Sequence, residues 1–142
     1  MSNTNKPNTI FWVIGIVATL WNILGVGAYL AQAYMPDKAL ELVSQGEQDY
    51  YNNYPAWVTA SFAIGVFGGL LGSIALLMRK KIAVLLFTLS LIGVLGQQIY
   101  NFFLQDYITL TITSVIGPIV IIIICFFLMW YSKAQKTNGL LS

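Results

Sequence analysis

Four long apolar segments alternate with short polar stretches along the chain. The uncharged runs are Thr9–Met35, Pro55–Met78, Ile82–Gln105 and Tyr107–Ser132. Each run can cross a hydrocarbon core of about 30 Å as a helix, and none carries the charged face of a soluble surface helix. The pattern predicts an all-α integral membrane four-helix bundle, a single membrane domain over residues 1–142. Its spans are expected at about 10–34, 55–78, 82–104 and 107–132.

The connection between the first two spans is the only one with room for further structure. Pro36 and Asp37 suit a helix start, because proline needs no amide donor there and an acid favours the N-terminal dipole. Gly46 is typical of a helix stop. We predict a short amphipathic helix at about 36–46, lying on the membrane surface or capping the bundle.

Four aromatic residues follow that predicted helix: Tyr50, Tyr51, Tyr54 and Trp57. Tyrosine and tryptophan are enriched at the level of the lipid head groups, so an aromatic belt explains them without any ligand. Sugars also stack on such rings, and a binding role is the less favoured interpretation.

Small residues recur through the second span at helical spacing. They are Ser61, Gly65, Gly69 and Ser73 at four-residue steps, with Gly68 and Gly72 beside them. Such a strip lets a neighbouring helix approach backbone to backbone. We interpret the second span as the helix around which the bundle packs. The neighbour is either another span of this chain or a second copy in a homodimer.

Uncharged polar side chains within the first and third spans form the candidate polar cavity. They are Asn22, Ser90, Gln97, Gln98 and Asn101. The third-span residues fall on one face, except that Gln98 lies about 100° round from Gln97. Amides at membrane depth must find partners or line water. A hydrogen-bonded core network is the more ordinary explanation, and a functional cavity is the sharper hypothesis.

Composition agrees with a membrane location, since 58% of residues are apolar and only 8% are charged. The basic residues Lys6, Arg79, Lys80, Lys81, Lys133 and Lys136 fall on one side of the predicted topology, and Lys38 falls on the other. The positive-inside rule then places both termini in the cytoplasm. The tail after Lys133 is polar, and we expect it to be loose.

Several chemistries are missing from the sequence. There is no histidine, Cys125 is the only cysteine, and no span contains a charged residue. A dithiol oxidoreductase, a carboxylate-dependent drug antiporter and an intramembrane protease each need groups that are lacking. We therefore expect no enzyme activity, catalytic residue, cofactor, metal site or nucleic-acid partner.

A family resemblance is carried by four segments: LWNILGVGAYL, PDKALELV, YPAWVTASFAIGVFGGLLGSIALLMRKKIAVLLFTLSL and GQQIY. Over about Trp21 to Tyr100 the chain resembles small bacterial four-helix membrane proteins, often labelled hypothetical protein or "sugar transporter". The PAWVTA…VFGG…LGS block and the basic turn after it are the most specific parts. The resemblance implies a bacterial inner-membrane protein with a sugar-related transport role, and it assigns no residue a function.

Two functional hypotheses follow from these observations. The first is binding or transport of a small neutral solute such as a sugar, with a homodimer enlarging the narrow cavity that four spans provide. The second is a non-catalytic accessory or structural membrane protein, which acts through helix–helix or loop contacts with partner proteins.

Overall fold

The computed structural model describes residues 6–107 and 109–142, and every regular element in them is helical. The helices are α1 (Thr9–Ala33), α2 (Asp37–Leu40), α3 (Gln45–Asn52), α4 (Ala56–Leu77), α5 (Ile82–Ile99) and α6 (Ile112–Thr137). A π-helical turn, Tyr100–Leu104, extends α5. Four of these elements are apolar and long enough to cross a membrane: α1, α4, α5 with its extension, and α6. The chain is a multi-pass membrane protein, and the predicted all-α four-helix bundle is confirmed.

Side-chain caps set the starts of two membrane helices. Asn8 Oδ1 accepts a hydrogen bond from the Phe11 amide at 2.9 Å and begins α1. Thr111 and Ser114 exchange side-chain to backbone bonds in a capping box that begins α6. Each cap satisfies amide groups that the first helical turn leaves unpaired. The fourth membrane helix therefore begins at residue 112, five residues later than the span predicted from 107.

The loop between α1 and α4 differs from the single helix predicted at about 36–46. α2 is one turn long, and the Ser44 hydroxyl accepts the Glu47 amide at 3.2 Å to begin α3. Gly46 was predicted to stop a helix, but it lies in the first turn of α3. A Cβ at Gly46 would lie 2.6 Å from the Tyr107 carbonyl oxygen, so glycine permits a close backbone approach there.

The small-residue strip of α4 packs against helices of the same chain. A Cβ at Gly68 would lie 3.2 Å from the Leu86 carbonyl oxygen of α5, and one at Gly72 would lie 3.0 Å from the Phe87 ring. Gly69 also meets α1, where it lies against the side chain of Asn22. α4 therefore occupies the centre of the bundle, with α1 on one side and α5 on the other.

Two apolar clusters fill the ends of the bundle. At the end that holds both chain termini, called the termini end, buried side chains from all four membrane helices meet, among them Phe11, Leu76, Phe87 and Leu128. At the opposite end, called the loop end, Tyr50, Val58 and Tyr100 form the second cluster beneath α3.

The C-terminal tail was predicted to be loose, and the structure contradicts this. The Ser142 amide donates to the Arg79 carbonyl at 2.9 Å, and the Lys81 amide donates to the Ser142 carbonyl at 3.0 Å. The Arg79 Nε donates to the Leu140 carbonyl at 2.9 Å. Leu141 is only 3% exposed and belongs to the termini-end cluster. Leu141 is buried and Leu140 is half-buried, so these leucines and the hydrogen bonds together hold the tail on the α4–α5 turn. Full burial of a leucine side chain contributes about 2 kcal/mol.

Candidate functional site

A central cavity of about 270 Å³ lies between α1, α4, α5 and α6. Four of the predicted polar-cavity residues line it together: Asn22, Ser90, Gln97 and Gln98. The rest of its wall is mainly apolar, and Trp21 and Phe62 supply the aromatic surface. None of its described lining residues carries a charge.

A second space, the loop-end cavity, has a volume of about 330 Å³ and shares Phe62, Gln97 and Gln98 with the central cavity. Asn101, the fifth predicted residue, lines this second space. Gln32, which was not among the predicted site residues, also lines it. Gln32 could have been identified from the sequence, because it is a polar residue in the last turns of the first apolar run.

Asn22 is fixed in the central cavity through its amide nitrogen. Nδ2 donates to the Ala18 carbonyl at 2.8 Å and to the Ser73 hydroxyl at 3.2 Å, and Ser73 donates onward to the Gly69 carbonyl at 2.8 Å. The residue is 8% exposed, yet its Oδ1 accepts no hydrogen bond from the described residues. Every fully enclosed side-chain polar atom in the described part has a partner. The Asn22 oxygen is therefore not fully enclosed, although it lies against Gly69 of α4.

Gln98 presents the complementary group. Its Oε1 accepts from the Asn101 Nδ2 at 3.2 Å, and the Asn101 oxygen accepts from the Tyr50 hydroxyl. Gln98 is 5% exposed, and its Nε2 has no partner among the described residues. Because every fully enclosed side-chain polar atom in the described part has a partner, this nitrogen is not fully enclosed, and Gln98 lines both cavities. The site therefore combines a free donor with a free acceptor.

The remaining two polar residues hold the walls together. The Ser90 hydroxyl donates to the Gly65 carbonyl at 2.5 Å and ties α5 to α4. The Gln97 Nε2 donates to the Tyr54 hydroxyl at 3.4 Å, which links α5 to the loop end. The predicted residues thus form a partly satisfied network beside a cavity.

The tyrosines of the first loop pack into a cluster instead of forming only a head-group belt. The ring centroid of Tyr54 lies 5.3 Å from that of Tyr50 and 5.6 Å from that of Tyr100, in edge-to-face contacts. Burial, together with the neighbouring Tyr54, raises the pKa of Tyr50, and burial also raises the pKa of Tyr51 and Tyr54. These phenols stay neutral at physiological pH. Trp57, by contrast, is exposed as a belt residue would be.

Comparisons of the chain with family models, with curated proteins and with solved structures found no match. The resemblance to small bacterial four-helix membrane proteins stays a prediction.

Proposed function

We propose that the protein binds a small, uncharged, hydroxylated solute such as a sugar in the central and loop-end cavities, as one step of transport. The observation that carries this proposal is a pair of amide atoms without a hydrogen-bond partner among the described residues, Gln98 Nε2 and Asn22 Oδ1, on two residues that line one uncharged cavity. A hydroxyl group both donates and accepts, so it satisfies either atom.

The chemistry of the wall favours a neutral ligand over an ion. An ion buried here would find no opposite charge among the described lining residues, and an unpaired buried charge is costly. A neutral hydroxylated ligand meets amides, and its apolar faces can rest on Trp21 and Phe62. Each cavity is close to the lower limit of ligand sites, which is about 300 Å³.

We further propose that the protein lies in a bacterial inner membrane with its termini in the cytoplasm. The basic turn and the tail that pairs with it lie at the termini end. The positive-inside rule assigns that end to the cytoplasm, so the loop-end cavity would face outward.

A binding measurement tests the proposal. The full chain in lipid nanodiscs is titrated with a panel of neutral monosaccharides and polyols by isothermal calorimetry. Gln98→Leu should weaken any binding about tenfold, because it removes a hydrogen bond made in a dry site. Gln45→Leu, which removes an exposed amide on α3, is the matched control and should bind as wild type. A panel without any binder, or equal affinity in the two variants, would contradict the proposal.

The accessory-protein hypothesis has less support. It offered two surfaces for partners, the first loop and the small-residue strip of α4, and the strip is not exposed. Gly65 lies beside Val94 and Gly69 lies beside Asn22, so both are covered by helices of the same chain.

A further inference from the structure

A third cavity, the side cavity, lies between α1 and α6 and has a volume of about 290 Å³. All of its lining residues are apolar: Val13, Ile14, Val17, Ala18, Trp21, Ile124, Phe127 and Leu128. Trp21 also lines the central cavity, so the two cavities adjoin at this residue. From Val13 to Trp21 the side cavity follows α1 for about 12 Å, at 1.5 Å per residue.

The seam between α1 and α6 is the open side of the bundle. Among the described residues, α4 packs closely along α1 and α5, and α5 packs along α6, but α1 and α6 make no such approach. At the termini end the two helices meet through the rings of Phe11 and Tyr131, whose centroids are 6.4 Å apart. Further along α1, Leu24 lines the central cavity and is 71% exposed. The central cavity therefore reaches the surface that faces lipid.

We propose that the ligand is a single-chain amphiphile with an uncharged hydroxylated head, which enters from the bilayer between α1 and α6. Its hydrocarbon chain lies in the side cavity, and its head lies among Asn22, Gln97 and Gln98 in the central cavity. This inference rests on the proposed function and specifies the class of ligand.

The two adjoining cavities differ in polarity. An entirely apolar cavity adjoins a cavity that contains three amide side chains, and both border the hydrocarbon region, so a free sugar would use only the second of them. A phospholipid would bring a phosphate into a space whose described lining residues offer no positive charge. A neutral amphiphile matches both spaces, because its apolar chain and its hydroxylated head are separated in the same order.

Tryptophan fluorescence provides the test, since the Trp21 side chain lines both cavities. A variant with Trp12→Phe, Trp57→Phe and Trp130→Phe keeps Trp21 as the only tryptophan. It is placed in zwitterionic nanodiscs and titrated with an alkyl glucoside that carries bromine atoms along its chain. We expect the quenching of Trp21 fluorescence to saturate as the alkyl glucoside is added. A second variant that keeps only Trp57, an exposed side chain at the loop end outside the three cavities, should show quenching that rises linearly with the amount in the bilayer.

Two substitutions on α1 separate specific binding from partition into lipid. Val17→Phe narrows the side cavity and should weaken the saturable phase about tenfold, since extra volume in a filled site costs roughly 1–3 kcal/mol. Ile16→Phe adds the same ring on an exposed position outside the cavities and should leave binding unchanged. If Val17→Phe loses its fold by circular dichroism, Ile124→Phe narrows the same cavity from α6 and replaces it.

The outcomes distinguish this inference from the proposed function. Saturable quenching that both Val17→Phe and Gln98→Leu weaken supports the inference. Methyl glucoside that binds through Gln98, beside linear quenching by the alkyl glucoside, would overturn it and leave the proposed function standing. Equal saturable binding of a brominated alkane without the sugar would overturn the assignment of the head. No binding of either glucoside would count against both proposals.

Discussion

The α4–α5 seam and the α1–α6 seam of the same bundle are built in opposite ways. Between α4 and α5, a Cβ at Gly93 would lie 2.6 Å from the Ser61 carbonyl oxygen and 2.7 Å from the Gly65 amide nitrogen. Between α1 and α6, large apolar side chains such as Val17 and Phe127 border a space of about 290 Å³. In lipid, helices associate through close packing and hydrogen bonds, because burying apolar surface gains little there. Glycines therefore close one seam, and their absence leaves the other open.

The largest expected loss of stability comes from a substitution in the α4–α5 seam. Gly93→Ala should lower the free energy of unfolding by about 3 kcal/mol, because the new methyl group meets backbone atoms that cannot move aside. Gly27→Ala is the matched control, since nothing lies within 4 Å of its new Cβ. That control should be neutral or stabilising by up to about 1 kcal/mol through helix propensity. Chemical unfolding in detergent, followed by circular dichroism, compares them, and equal stability would mean that the seam is not tightly packed.

A smaller effect is expected where the C-terminal tail docks. Leu141→Ala should cost about 2 kcal/mol, because it empties a buried position in the termini-end cluster. Leu42→Ala, at an exposed position of the first loop, should change the unfolding midpoint very little. Because the tail holds the end of α6, Leu141→Ala should also increase hydrogen exchange in the last turns of α6 more than in α4. An equal increase in hydrogen exchange in α6 and α4 would rule out the tail as an anchor for α6.

The smallest effect concerns the tyrosine cluster at the loop end. Burial raises the pKa of Tyr50 and Tyr54 above the ordinary value of 10.0, so the folded state keeps their protons at a pH where the unfolded chain has lost them. The contribution of these tyrosines to the free energy of unfolding is therefore fully present below about pH 10, and it is lost as the pH rises further. The midpoint of thermal unfolding should drop between pH 8 and pH 11, and Tyr50→Phe should reduce that drop. Tyr34→Phe, at an exposed position, is the control. A drop of the same size in Tyr50→Phe and wild type would argue against the cluster as its source.

The membrane helices could be predicted from the sequence because length and freedom from charge are sufficient for a spanning segment. The loop was harder, since Gly46 is equally compatible with a helix end and with a close approach to another backbone. There the Ser44 cap decided the outcome. The docking of the tail could not be predicted either, because Leu140 and Leu141 are too short a run to register as a packed element.

The candidate site, like the fold, could be predicted from the sequence only in part. The sequence identified the polar residues, and periodicity placed most of those on the third span on one face. It could not predict that Asn22 and Gln98 would line one cavity, because the rotation of one helix against another depends on packing at Gly69 and Gly93. The side cavity also escaped prediction, because apolar side chains around a space and apolar side chains against lipid have the same sequence pattern.

The π-helical turn Tyr100–Leu104 ends the third membrane span and sets the direction of the Gln105 side chain. Its wider ring, closed by the Gln105 amide on the Tyr100 carbonyl at 3.1 Å, inserts one residue into the helical ladder. Deleting one residue from this turn would restore the ordinary ladder and swing the Gln105 side chain by about 100° around the axis. Gln105 lines the loop-end cavity, so the mouth of the proposed binding site depends on a single extra residue.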